Sequence, residues 1–148
     1  MRAVIQRVAQ AGVSVNNVVI NNIGRGLLIF LCVERGDTEI DVRYMCDKII
    51  NLRIFPDKES IPNLSLLDIK GEMLVVSQFT LAADARKGRR PSYSNAELPD
   101  TAKNLFDLFC SLASDYITIK TGIFRTDMQV SSVNDGPFTI LLSSRKEF

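Results

Sequence analysis

Met73-Leu74-Val75-Val76-Ser77-Gln78-Phe79-Thr80-Leu81 begins as an apolar run and ends in two hydroxyls and an amide. So continuous an apolar stretch reads as a buried β-strand rather than an amphipathic one. The strand delivers Ser77, Gln78 and Thr80 to its end, and the basic loop Arg86-Lys87-Gly88-Arg89-Arg90 follows closely. A polar pocket beside concentrated positive charge is the layout of a site for a charged ligand. The plainer reading is a strand end with ordinary hydroxyls beside a solvated loop.

Working upstream, Gly71 after Lys70 marks a tight turn, which predicts a hairpin between residues 66–69 and a strand over 72–81. A second continuous apolar run, Leu27-Leu28-Ile29-Phe30-Leu31-Cys32-Val33, predicts another strand covered on both faces. Before it, residues 2–8, 13–15 and 18–20 read as strands, with turns at Ala11-Gly12, Asn16-Asn17 and Asn21-Asn22. Thr38 and Asp41 approximate a capping box, and Met45, Cys46, Ile49, Ile50 and Leu52 follow helical spacing, which predicts a helix over 39–52. Residues 53–55 form an extended piece leading to turns at Pro56-Asp57 and Ile61-Pro62-Asn63.

Downstream, Pro99 suits a first helical position, and Ala102, Leu105, Phe106, Phe109, Leu112 and Ala113 form one apolar stripe. The aromatics of that stripe read as core. Strands over 117–124, 128–133 and 138–142 close the chain. Hairpins thus outnumber strand-helix-strand units. The expected fold is a single α/β domain over 1–148, with mixed, largely antiparallel sheets, layered or barrel-like, and two main helices packed on one side. No Gly-rich loop joins a strand to a helix, which argues against a doubly wound nucleotide fold.

Composition narrows the chemistry. The 148 residues are 46% hydrophobic and 24% charged, as in a soluble globular protein, and no apolar run reaches the length of a membrane span. The charged N-terminal stretch lacks the apolar block of a signal peptide, so a cytoplasmic location is expected. Cys32, Cys46 and Cys110 are far apart in apolar surroundings and read as free thiols. There is no histidine, which excludes Ser-His-Asp and Cys-His relays and any imidazole-bound zinc. Residues 86–90 carry four positive charges against a net charge of +1, so the rest of the chain is net acidic and the positive charge is local.

Four separated stretches carry a resemblance. They are Met1-Arg2-Ala3-Val4-Ile5-Gln6-Arg7-Val8; Val33-Glu34-Arg35-Gly36-Asp37-Thr38; Ser77-Gln78-Phe79-Thr80-Leu81 with the basic loop and Pro91-Ser92; and Asn134-Asp135-Gly136-Pro137-Phe138-Thr139. In this order they resemble D-aminoacyl-tRNA deacylases, from the first residue to about Leu142. The resemblance implies a metal-free and cofactor-free homodimeric hydrolase that cleaves the ester of D-aminoacyl-tRNA and of mischarged glycyl-tRNA. It further implies active sites at the dimer interface. Ser77, Gln78, Phe79 and Thr80 come from one subunit, and Gly136-Pro137, with a cis peptide bond, reaches in from the other. Phe124 and Met128, within Gly122-Ile123-Phe124-Arg125-Thr126-Asp127-Met128-Gln129-Val130, would lie beside the terminal adenosine, and Arg7 would brace the Gly-Pro pair. The chain departs from the family pattern at Ala82-Ala83-Asp84-Ala85 and at Pro62.

An aminoacyl ester is already activated, and the substrate brings its own vicinal ribose hydroxyl, so the lack of a histidine relay is no obstacle. Thr80 without a base is a weak nucleophile. The protein's share would be positioning and stabilisation of the oxyanion by fixed donors, most simply backbone N–H groups near Phe79 and Thr80. A site that tests only the α-carbon needs rigid backbone close to it, which Gly136 and Pro137 supply. Arg86, Lys87, Arg89 and Arg90 are the expected tRNA contacts. Two other readings fit some of the residues: a non-catalytic RNA-binding module with Phe79 or Tyr93 stacking a base, and a small-molecule esterase using Thr80 or Ser77.

Overall fold

The computed structural model describes residues 1–148. Strand β1 (Arg2–Val15) turns through Asn16 and Asn17, both at positive φ, into β2 (Val18–Ile23), and β3 (Gly26–Cys32) follows. Helix α1 (Glu39–Ile50), the short strands β4 (Phe55–Pro56) and β5 (Pro62–Leu64), β6 (Glu72–Ser77) and a 3-10 turn (Phe79–Ala82) lead to helix α2 (Pro99–Ser114). Strands β7 (Thr118–Thr121) and β8 (Gln129–Ser143) complete the chain. No helix is long and apolar enough to cross a membrane.

The principal sheet runs β2-β1-β3-β6-β7, with β8 pairing β1. Pairings of β1 with β2, β3 and β8 are antiparallel, whereas β3-β6 and β6-β7 are parallel. The parallel pairs are joined across α1 and α2, as parallel connections require. The sheet curls until β2 meets the end of β7, where Asn21 Nδ2 donates to the Thr121 carbonyl at 2.7 Å. A mixed, largely antiparallel, barrel-like sheet with two helices on one side is therefore the architecture, as the sequence predicts.

Alternation along β3 and β6 divides the interior into two cores. Leu27, Ile29, Leu31, Met73 and Val75 face the helices and meet Val42, Met45 and Ile49 of α1 and Phe106, Phe109 and Ala113 of α2. Leu28, Leu74 and Val76 face the inside of the curl with Val8, Val13 and Ile23. The two apolar runs are thus covered on both faces. Helix α1 begins where expected: the Thr38 N–H donates to Asp41 Oδ2 at 2.8 Å.

Several boundaries differ from the sequence expectation. Ala11-Gly12 is no turn: β1 is continuous there, and Gly12 pairs Asn22 on one side and Ser131 on the other. Asn21 and Asn22 likewise belong to β2. The expected 66–69/72–81 hairpin does not form. Residues 65–70 are instead a turn pinned by Asp68, whose Oδ2 accepts from the Ser65 N–H and hydroxyl, each at 2.8 Å. The strand beyond stops at Ser77, because the chain coils into the 3-10 turn at Phe79. The two last expected strands are one, β8.

Candidate active site

The parallel register sets Leu31 of β3 beside Ser77 of β6, and the backbone N–H of Gln78 donates to the Leu31 carbonyl at 2.8 Å. The chain is therefore fixed where it leaves the sheet. The following 3-10 turn points Phe79 outward, 58% exposed, and returns the Gln78 side chain to Thr80, whose Oγ1 accepts from Gln78 Nε2 at 2.5 Å. Within the turn, the Leu81 N–H is bonded to Gln78 and that of Ala83 to Thr80. As at any helical start, the N–H groups of Phe79 and Thr80 have no partner inside the turn.

A cleft of about 610 Å³ opens at this point. Ser77, Gln78 and Phe79 form one side, and Phe124 and Met128, on the loop between β7 and β8, form the other. Its floor comes from Cys32 and Phe106. The Phe106 and Phe124 rings lie 6.1 Å apart at a tilt of 52°. The Ile123 N–H points to Met128 Sδ at 3.3 Å, which fixes the thioether in the wall. Burial, with Glu34 nearby, pushes the Cys32 thiol up to about 11, which disfavours the thiolate a nucleophile would need. Phe106 is a residue sequence reading assigns only to the core, and nothing in the apolar stripe of α2 marks one member as facing a cleft.

The remaining expected site residues lie elsewhere. Between the β1–β8 pairs Gln6–Thr139 and Val8–Asn134, the ladder leaves four residues of β8 opposite Arg7 alone. The Asp135-Gly136-Pro137-Phe138 segment is therefore extruded from the sheet, with Gly136 and Pro137 exposed and the bond between them cis. Asn134 ties its base, since Oδ1 accepts from the Phe138 N–H at 2.7 Å and Nδ2 donates to Thr139 Oγ1 at 3.0 Å. Buried Arg7 braces it from below: Nε donates to the Asp135 carbonyl at 2.8 Å, Nη1 to the Ile54 carbonyl at 2.6 Å, and the guanidinium stands 4.9 Å from the centre of the Phe138 ring.

This braced segment does not reach the cleft of its own chain. Val130 of β8 lines the cleft, whereas none of residues 135–138, further along the same strand, does. Of the basic residues, Arg86 is held by Asp84 through Nε at 2.9 Å and Nη2 at 2.6 Å, which keeps the Asp84 carboxyl far below its ordinary range. Lys87, Arg89 and Arg90 are exposed and have no ion-pair partner. The loop that carries them is clasped at its base by two backbone hydrogen bonds between Asp84 and Ser92, at 2.8 and 2.9 Å.

Residues 4–143 match the sequence family described as D-Tyr-tRNA(Tyr) deacylase. The chain is 54% identical to the D-aminoacyl-tRNA deacylase of Thermosipho africanus and 54% identical to that of Clostridioides difficile, covering the whole of both chains in each case. The chain belongs to the D-aminoacyl-tRNA deacylase family. A D-aminoacyl-tRNA deacylase is a hydrolase of the ester between a D-amino acid and tRNA, and aminoacyl-tRNA is thus the substrate of this family. Among solved structures, one described as c-Myc DNA Unwinding Element Binding Protein superposes with a TM-score of 0.92 at 37% identity, over 97% of this chain and 98% of the other. A second, described as a probable eukaryotic D-amino acid tRNA deacylase, has a TM-score of 0.79 at 21% identity, over 95% and 97%, and shares the fold.

Proposed function

We propose that the Ser77–Thr80 cleft hydrolyses the ester of D-aminoacyl-tRNA and of mischarged glycyl-tRNA, and that each cleft is completed by the Gly136-Pro137 segment of a second copy. The observation that carries this reading is the separation just described: a cleft that none of residues 135–138 lines, and an exposed backbone segment braced from below by Arg7 of its own chain. A twofold dimer uses one surface patch of each copy reciprocally, so one contact supplies both clefts.

In this reading the terminal adenosine lies against Phe124 and Met128, and the ester carbonyl lies by the N–H groups of Phe79 and Thr80. Water adds to that carbonyl with the vicinal ribose hydroxyl relaying its proton. The oxyanion is held by the two N–H groups, and its collapse expels the ribose oxygen, which takes the proton. Removing one such donor typically costs about 3 to 4 kcal/mol of transition-state stabilisation. Gln78 orients the Thr80 hydroxyl, and Ser77 fixes the polar edge of the cleft. Carbonyls of the Gly136-Pro137 segment hold the substrate amino group and leave no room for an L side chain, whereas glycine passes. Lys87, Arg89 and Arg90 hold tRNA phosphates, and Arg86, paired with Asp84, stiffens the base of the loop that carries them. The enzyme needs neither metal nor cofactor in this scheme, acts through residues 1–148 as one unit, and works in the cytoplasm, where aminoacyl-tRNA is found.

Mixing two inactive variants tests the shared site. A Thr80→Pro protein, which lacks one of the two oxyanion N–H groups, and a Gly136→Ala protein, exchanged at equal concentration, form mixed dimers with one fully wild-type cleft. Random exchange at a reciprocal twofold interface then restores about a quarter of wild-type deacylation. No recovery after verified exchange would place both elements of the site in one subunit.

A further inference from the structure

A second cavity, of about 520 Å³, adjoins the active cleft. The wall between them is a single thickness of chain. Val33, Ala96 and Glu97 line the cleft, whereas Glu34 and Asn95 line the second cavity. The partition is stitched by the Arg35 N–H to the Asn95 carbonyl at 2.9 Å and by the Glu97 N–H to the Val33 carbonyl at 3.0 Å.

Four guanidinium groups line the cavity: Arg2, Arg35, Arg86 and Arg145. Three are held by carboxylates. Arg2 Nε is 3.0 Å from Glu34 and its Nη2 is 2.9 Å from Glu147, Arg86 pairs with Asp84, and Arg145 Nη2 is 3.1 Å from buried Asp37. Arg35 has no carboxylate. Its Nε makes one long contact, 3.4 Å, to the Ala96 carbonyl, and the residue is exposed. The cavity therefore holds one cation free for one monoanion, the charge of a phosphodiester. Phe79, at the edge of the cleft, and Tyr93, between Ser92 and Asn95, form an exposed aromatic ridge, 58% and 42% exposed, their rings packed edge to face at 5.2 Å. Exposed aromatic faces of this kind stack unpaired bases. Tyr93 is two residues from Asn95, whose carbonyl holds the Arg35 backbone.

We propose that this ridge and cavity form a subsite for the penultimate nucleotide of the single-stranded tRNA end: Arg35 takes the phosphodiester on the 5′ side of the terminal adenosine, and Tyr93 stacks the next base. The proposal rests on the ester-hydrolase reading of the neighbouring cleft. A polyanion leaving that cleft must cross one of its rims, and this rim leads through Arg86 directly to the basic loop. The carboxylates that hold Arg2, Arg86 and Arg145 fix the walls, so the one uncompensated cation sits in a shaped site.

A ladder of minimal substrates separates the two contacts: D-tyrosyl esters of adenosine, of 5′-phosphoadenosine and of the dinucleotide CpA. In the wild type, kcat/KM rises about tenfold at the phosphate step and about tenfold again at the added base, as one charged contact and one stacked base supply. Arg35→Ala abolishes the first ratio and Tyr93→Ala the second. Each ratio is taken within one variant, so a general loss of folded protein cancels. A wild-type ladder that is flat from adenosine to CpA overturns the subsite, as do variants that keep both ratios. Failure of the wild type on D-tyrosyl-tRNA itself overturns instead the ester-hydrolase reading beneath it.

Discussion

Replacing Arg7 with alanine removes the brace beneath the Gly136-Pro137 segment, and the structure sets the size of the effect. Arg7 is 9% exposed and its guanidinium makes two charge-assisted hydrogen bonds to carbonyls and stacks on Phe138. The Ile54 carbonyl is buried and cannot turn to water, so its unpairing costs about 1.5 to 3 kcal/mol. The Asp135 carbonyl lies nearer solvent and its loss costs about 1 kcal/mol, and the cation–π contact adds about 0.5 to 2 kcal/mol. The total is about 3 to 6 kcal/mol, which in a domain of this size lowers Tm by roughly 6 to 24 °C. Misplacing a positioning segment by 1 Å costs on the order of 100-fold in rate, so deacylation of D-tyrosyl-tRNA falls by at least that much under conditions where the variant is folded. Arg7→Lys keeps the charge but cannot span both carbonyls, and recovers at most half of the stability. Denaturant titration paired with single-turnover deacylation measures both quantities. An Arg7→Ala protein with an unchanged midpoint and wild-type turnover would refute the bracing role, and a fully wild-type Arg7→Lys would refute the need for a fork.

Thr80→Ala retains deacylase activity within about tenfold of wild type, because the hydroxyl is oriented by Gln78 but has no base to activate it; activity reduced to the spontaneous rate would restore Thr80 as a nucleophile. Arg89→Ala and Arg90→Ala each reduce the slope of log Kd for tRNA against log salt by about one, read from binding titrations at several ionic strengths; unchanged slopes would leave the loop merely solvated. Burial raises the thiols of Cys32 and Cys46 to about 11 and that of Cys110 to about 12 from an ordinary 9.0. The unfolded chain then loses thiol protons first as pH rises, so these groups withdraw stability progressively from pH 9 to about 11. A Tm profile that stays level over that window would contradict the burial of these groups. The opposite sign holds for Asp68, whose carboxyl lies below its ordinary 3.8 because the Ser65 N–H and hydroxyl donate to it, so its contribution fades as pH falls below about 4.

Legibility of the sequence follows burial. Strand β3 and the apolar part of β6 are plain because both faces are covered, and every residue in them is apolar for that reason. The ends of β1 and β8 are harder. Strand β1 changes neighbours along its length and β8 shifts register against it twice, so Gly12, read locally as a turn residue, stands within ladders that only the third dimension supplies. Ser65 and Asp68 carry the spacing of a capping pair, yet the stronger pull of Lys70-Gly71 as a hairpin turn obscures it. The positive φ there belongs to Lys70 and not to the glycine. At the site, Ser77, Gln78, Phe79, Phe124 and Met128 come together as their positions imply. Phe106 cannot be separated from its stripe without knowing which strand end lies above it. That Gly136-Pro137 stands apart from the cleft is a matter of strand length, and no single motif records it.

The most direct test is a side-by-side assay of the purified, metal-chelated protein on D-tyrosyl-tRNA and L-tyrosyl-tRNA. Rapid release of tyrosine from the D-ester, with the L-ester decaying only at its spontaneous rate, is the predicted result. Equal cleavage of both esters would contradict the chiral gate, and cleavage of neither would contradict the hydrolytic reading of the cleft.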